Sequence, residues 1–217
     1  MNKDNINKSI FWLLLYIFLY GVCTVIVSVF FPETALLTVG IVGVIYILLN
    51  IFGMKYKRER LFLNGIIGAL SVMFIGSWFG KQLDLESTIS IGAAVTAMDI
   101  ISFTKIGKRT VNAKAMSNKT VAAKLFVYGL EKNDVLIPTC GYGDYLYYAM
   151  WISGIHALSS AIQVYVIAAL MIFLGIIIQS IVVKRLSGKD NFKGFPGTVF
   201  PFLCTVFAYL GVYYFVR

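Results

Sequence analysis

Seven apolar runs joined by short connections leave this chain few ways to fold. They cover about 10–31, 36–54, 61–80, 87–104, 135–157, 162–183 and 195–216 of the 217 residues. Each approaches the roughly 20 residues that a helix needs to cross a bilayer. Only 13% of the residues are charged, against about a quarter in soluble domains, so there is too little charge to coat a water-exposed surface. The reading is an all-α polytopic membrane protein of about seven transmembrane helices. The first run follows a basic start, as in a signal peptide. Its length of about 22 residues exceeds the roughly 7–15 of a signal-peptide core, so it reads as a span.

The basic residues predict an orientation. Lys3 and Lys8 precede the first span, "KYKRER" (Lys55 to Arg60) follows the second, "KIGKRTVNAKAMSNKTVAAK" follows the fourth and "KRLSGKDNFK" follows the sixth. The alternate connections carry at most one lysine, Lys81. Basic loops stay cytoplasmic, which predicts a cytoplasmic N-terminus and an external C-terminus. This clustering in loops also accounts for the net charge of +9 and argues against a nucleic-acid partner. Cys23, Cys140 and Cys204 show no CxxC spacing and read as small buried hydrophobes. Neither a metal nor a cofactor is expected.

Of the ten acidic residues, eight fall in loops or at span ends, whereas Asp99 and Asp144 fall inside apolar runs. An intramembrane carboxylate is costly and marks a functional site by default. Asp99 precedes Lys105 by six residues, about 9 Å along a helix, and Asp144 follows Asp134 by ten, about 15 Å. Their spans run in opposite directions, so both acids lie at similar heights on the cytoplasmic side of mid-membrane. With no Lys or Arg deep in any span, each acid's natural partner is the other. Two adjacent carboxylates cannot both ionise cheaply, so the pair holds one proton near neutrality. One acid can then activate water while the other polarises a carbonyl. The same pair could instead stabilise helix packing or line an ion path. Pro138, Gly141 and Gly143 weaken the helix just before Asp144. Irregular backbone at membrane depth must be buried in protein or line a wet cavity, and a hydrolytic site needs such a cavity.

Three motifs carry a family resemblance. "AMDIISFTK" contains Asp99, "GYGD" contains Gly141, Tyr142, Gly143 and Asp144, and "FPFL" contains Pro201, Phe202 and Leu203. In this order they resemble the first-aspartate, GxGD and PAL motifs of the presenilin and signal-peptide-peptidase family of intramembrane aspartyl proteases, above all its archaeal members. Met98 stands where the family usually has tyrosine, and Phe202 where PAL has alanine. The likeness covers about residues 88–217, the family's four-helix catalytic half, and the chain has two spans fewer than the usual nine. It implies a presenilin-like catalytic bundle at 87–217 and a three-helix membrane scaffold at 1–86. Asp99 and Asp144 would be catalytic, Gly141–Gly143 would support them, and Pro201–Leu203 would lie beside them and engage substrate. The substrates would be membrane proteins cut within their transmembrane helices, and the predicted orientation is the presenilin sense.

The apolar patch Thr120–Leu130 either packs at the membrane surface or forms a strand that pairs with an unwound substrate. Pro196 and Pro201 could simply kink the last helix. The small residues of "IGAAVTA" (Ile91–Ala97) suit close helix contact. His156 lies about 18 Å beyond Asp144 along a helix and reads as a satisfied polar group. Two rival functions remain: a prepilin-type peptidase, and a proton-coupled transporter or cation leak channel using the same acids. For the orientation, a tag fused after Arg217 is expected to react only with external probes; labelling from the cytoplasm would overturn it.

Overall fold

The computed structural model describes residues 3–104, 107, 118–131, 135–187 and 195–216. Helices α1 (Lys3–Phe30), α2 (Glu33–Leu48), α3 (Leu61–Gln82) and α4 (Leu85–Ser102) come first. A one-turn helix α5 (Lys119–Lys124) then leads into strands β1 (Phe126–Glu131) and β2 (Val135–Gly141). Helices α6 (Tyr142–Gly154), α7 (Ile162–Leu186) and α8 (Val199–Val216) complete the chain.

The protein is mostly helical, and five helices are long and apolar enough to cross a membrane: Ile6–Phe30, Glu33–Gly53, Arg58–Gln82, Leu85–Ser102 and Ile162–Leu186. Val199–Phe215 is apolar but shorter. Phe11, Phe18 and Ile26 of α1, Val42 and Ile45 of α2, and Leu170 and Ile181 of α7 all face outward. A helix that is apolar all round yet open at the surface of its own chain calls for a lipid surround.

Chain punctuation sets the helix ends. Pro32 cannot continue α1, and its carbonyl instead accepts the Ala35 amide at 3.0 Å to start α2. Asp84 caps α4 by accepting the Ser87 amide at 2.7 Å. Asn118 caps α5, accepting from Thr120 and Val121.

The expected span at 135–157 is not one helix. It divides into β2 and α6, and Pro138, with no N–H to donate, sits within the strand portion. A 13-residue helix rises about 20 Å, short of the roughly 30 Å hydrocarbon core. The patch expected at Thr120–Leu130 therefore ends as a strand that pairs within the chain. β1 and β2 run antiparallel, with Tyr128 opposite Pro138 and Phe126 opposite Gly141, and an irregularity lies between them. Thr139 Oγ1 bonds the Val127 carbonyl at 2.8 Å across this irregular stretch. From α1, Ser9 donates to the Pro138 carbonyl at 2.8 Å and Tyr16 to the Tyr128 carbonyl at 3.1 Å. Lys8 pairs with Glu131. Lys124 is buried and donates to the carbonyls of Asn50, Ile51 and Met54 at 2.7, 3.1 and 2.6 Å, closing the π-helical turn Leu49–Gly53 that continues α2.

Helix α6 is the centre of the bundle. Tyr145, Tyr148, Ala149, Met150, Trp151 and Ile152 are each no more than 2% exposed. Its main neighbour is α3, which comes from the expected scaffold part. Four α3 glycines make the approach possible: Gly65 lies against β1, Gly68 against the Tyr142 ring, Gly76 against Leu146 and Ala149, and Gly80 against the α6 C-terminus. At the C-terminal end of α6, Ser28 of α1 bonds Ser153 of α6 at 2.7 Å and Ser77 of α3 at 3.3 Å. Such interhelical bonds and small-residue contacts replace the hydrophobic drive that lipid does not supply. A Cβ on Gly76 would lie 2.7 Å from the Leu146 carbonyl oxygen and 3.0 Å from Ala149 Cβ. Gly76→Ala is therefore expected to destabilise the bundle by about 1–3 kcal/mol, read as a lower melting temperature in detergent.

Candidate active site

The two acids that fall in apolar runs come from different helices and meet at the start of a third. Asp99 lies in the last turn of α4, where Ser102 Oγ closes back on the Asp99 carbonyl at 2.6 Å. Asp144 is the third residue of α6. The junction is Gly197–Thr198, immediately before α8. Thr198 donates both its amide, at 3.0 Å, and its hydroxyl, at 2.9 Å, to Asp99 Oδ2. A Cβ placed on the adjacent Gly197 would lie 3.1 Å from Asp144 Oδ1. The Gly197 carbonyl accepts the Tyr148 hydroxyl at 3.1 Å, which ties this junction to α6. Both carboxyl groups thus border the same two-residue junction. Both are half-buried. Among the described residues, the only ion pair joins Lys8 and Glu131, so neither acid has a cationic partner there.

Asp144 is held from its own end of the chain. Its Oδ2 receives the Cys140 thiol at 3.0 Å and, at a long 3.4 Å, the Gly141 amide. The second contact is the back-bond of a helix-capping acid. Cys140 is buried as expected, but it also touches an acid, which its sequence surroundings do not reveal. Cys204 is buried, whereas Cys23 is exposed, contrary to the buried reading.

The motif residues have separate jobs. Gly141 ends β2 and caps α6. Tyr142 is buried and anchors the turn by donating to the Asn64 carbonyl of α3 at 2.8 Å. Nothing lies within 4 Å of the place a Cβ on Gly143 would fill, so the chain leaves open space one residue before Asp144.

The PAL-like residues sit a turn away from the acids. Pro201 packs into Gly175 of α7 and its carbonyl accepts Thr205 Oγ1 at 2.7 Å. Phe202 packs against the Trp151 ring at 5.7 Å and over Gly92 of α4. Leu203 is 48% exposed. In the described contacts, Thr198 bonds Asp99 and Gly197 lies beside Asp144, whereas Pro201 and Phe202 wedge α8 against α7 and α6. "FPGTV" carries a signal, a proline-glycine break followed by a cap-type threonine, although in sequence alone it reads equally well as a kink. Of the small residues of Ile91–Ala97, Gly92 serves close helix contact, whereas Ala93, Ala94 and Ala97 are exposed.

His156 Nδ1 lies 2.6 Å from the Tyr165 hydroxyl of α7, a satisfied polar group remote from the acids. Among the described residues, no group of three His, Cys, Asp or Glu side chains converges as a metal site. Thr96 Oγ1 and Trp151 Nε1 are buried without a protein partner near the seam between α4 and α6.

Comparison of the chain with protein families, with curated proteins and with solved structures gives no match in any of the three.

The space beside Gly143 can be tested. Gly143→Leu is expected to leave the melting temperature unchanged or slightly raised, because leucine favours helix over glycine by roughly 1 kcal/mol. Any activity that requires access to Asp144 should fall by about tenfold or more. Loss of stability in this variant would mean that the space is not open.

Proposed function

We propose that this chain is an intramembrane aspartyl protease of the presenilin and signal-peptide-peptidase kind, hydrolysing peptide bonds within the transmembrane helices of other membrane proteins. The observation that carries this reading is the meeting of Asp99 and Asp144 at Gly197–Thr198, with no cationic partner for either among the described residues. A pair of carboxyls sharing one proton can activate water with the charged member and polarise a carbonyl with the protonated one. The open space beside Gly143 is room for an extended backbone next to Asp144.

The hairpin fits the same task. A helix must be unwound before its peptide bonds can be attacked, and unwound backbone in an apolar surround needs partners for its N–H and C=O groups. β2 runs directly into the turn that carries Asp144. A substrate strand alongside the hairpin would have its polar groups satisfied by strand addition, independent of side-chain identity. With β1 and β2 already paired, such a strand must add to an outer edge. In this reading the N-terminus is cytoplasmic, the C-terminus is external and substrates have external N-termini.

The deciding experiment compares wild type, Asp99→Asn and Asp144→Asn, purified in lipid, on a generic single-span substrate. Cleavage by wild type is expected, with each variant reduced at least a hundredfold and folded normally. Absence of cleavage in all three, together with acid-dependent ion or proton flux, would replace the protease reading with transport.

A further inference from the structure

The two acids are not equivalent, and the difference lies in what donates to them. Asp99 Oδ2 accepts two hydrogen bonds from one residue, the Thr198 amide at 3.0 Å and its hydroxyl at 2.9 Å. An amide can only donate, so this oxygen is an acceptor. Donors on a carboxyl favour its charged form, and bonds to a charged oxygen are the strong ones. Thr198 also directly precedes α8 (Val199–Val216), so the Asp99 carboxyl sits at a helix N-terminus, where negative charge is favoured. This offsets the unfavourable C-terminal end of α4 on which Asp99 itself resides.

Asp144 is held more weakly. Its Oδ2 contacts a thiol, a weak donor, at 3.0 Å and an amide at 3.4 Å, beyond ordinary hydrogen-bond length. A sulfur at that position can equally accept a proton from the carboxyl. The N-terminal end of α6 favours charge on Asp144, but a helix-end field is smaller than two direct charge-assisted bonds. Among the described residues, the titratable groups around these acids include Cys140, Tyr145, Tyr147 and Tyr148. None of these brings a positive charge.

We propose that Thr198 sorts the pair: by holding Asp99 as the carboxylate it makes Asp99 the general base and leaves the shared proton on Asp144. This rests on the proposed hydrolytic function. Asp99 takes a proton from water as the water oxygen bonds to the scissile carbonyl carbon. Asp144 gives its proton to the carbonyl oxygen, forming a gem-diol. As the C–N bond breaks, the proton on Asp99 passes to the leaving nitrogen. One gem-diol hydroxyl returns its proton to Asp144, so both acids end as they began. Thr198 touches no reacting atom and is a positioning residue.

The test reads the proton directly, by infrared difference spectroscopy of the purified full chain in lipid at neutral pH. The protonated-carboxyl stretch is expected in wild type, retained in Asp99→Asn and lost in Asp144→Asn. It should return in Asp144→Asn combined with Thr198→Val, which keeps the amide but removes the hydroxyl, and stay absent with Thr198→Ser. In parallel, Thr198→Val should lower kcat about tenfold at unchanged KM, as expected for one lost charge-assisted bond, with Thr198→Ser restoring it. A stretch that is absent in wild type, or that vanishes in Asp99→Asn while surviving in Asp144→Asn, overturns the proposal. So does equal behaviour of the Val and Ser variants. If wild type cleaves nothing, the hydrolytic function fails separately, and the infrared arm still decides which acid holds the proton.

Discussion

Most of this architecture follows from burying a helix that is too short to cross a membrane. Helix α6 has only 13 residues, and strand β2 runs directly into it, so a row of backbone polar groups needs partners that an apolar surround does not offer. Such backbone survives only if protein covers it. Helix α1 supplies hydroxyls to the hairpin carbonyls, and the hairpin satisfies much of itself. Helix α3 supplies glycines so that its backbone can close on α6. Tyr20 and Tyr209 donate to the carbonyls of Tyr145 and Trp151 on α6. The polar residues of this greasy chain are thus concentrated where α6 needs them, and the lipid-facing surfaces of α1, α2 and α7 are left to Phe, Val, Ile and Leu.

The same constraint makes the candidate site. A break between strand and helix places a helix N-terminus inside the protein, and Asp144 lies in that first turn. Another helix start, that of α8, is brought opposite it by the wedge of Pro201 and Phe202 against α7 and α6. Asp99 is bound at that second helix start through Thr198. Two helix N-termini thus converge on two carboxyl groups, which is a physical reason for acids to be tolerated here without a lysine or arginine. Helix α4 is held mainly through Gly92, Thr88 and Thr96, while Met98, Ile100 and Ile101 beside Asp99 face outward. The lightly packed helix therefore carries one acid and the fully enclosed helix carries the other.

Much of this was legible in the sequence because residue counting measures depth. Two stray acids in apolar runs single out Asp99 and Asp144 as a pair, and the structure brings both to Gly197–Thr198. The hairpin was not legible in the same way. A short apolar run of Val, Leu and Ile serves equally in a buried strand and a buried helix, and periodicity does not separate them. Pro138 and Gly141 marked the weak point but not what replaces the helix there. Cys140 and Thr198 were missed because depth says nothing of rotation about a helix axis or of which chain end folds back. Pro201–Leu203 were put beside the acids by likeness of motif, but the residues in contact lie one turn earlier.

The sequence by itself determined the solvent of this protein, the number and rough position of its apolar runs and the two carboxylates that such a solvent makes conspicuous. These are consequences of composition and linear spacing, and free energy of transfer depends on little else. Only the tertiary structure decided that α6 begins with a strand, that α3 is its close neighbour, and that Gly197–Thr198 stands between the acids. Those outcomes depend on which surfaces interlock and which backbone groups find donors, and both are set by contacts between residues far apart in the chain.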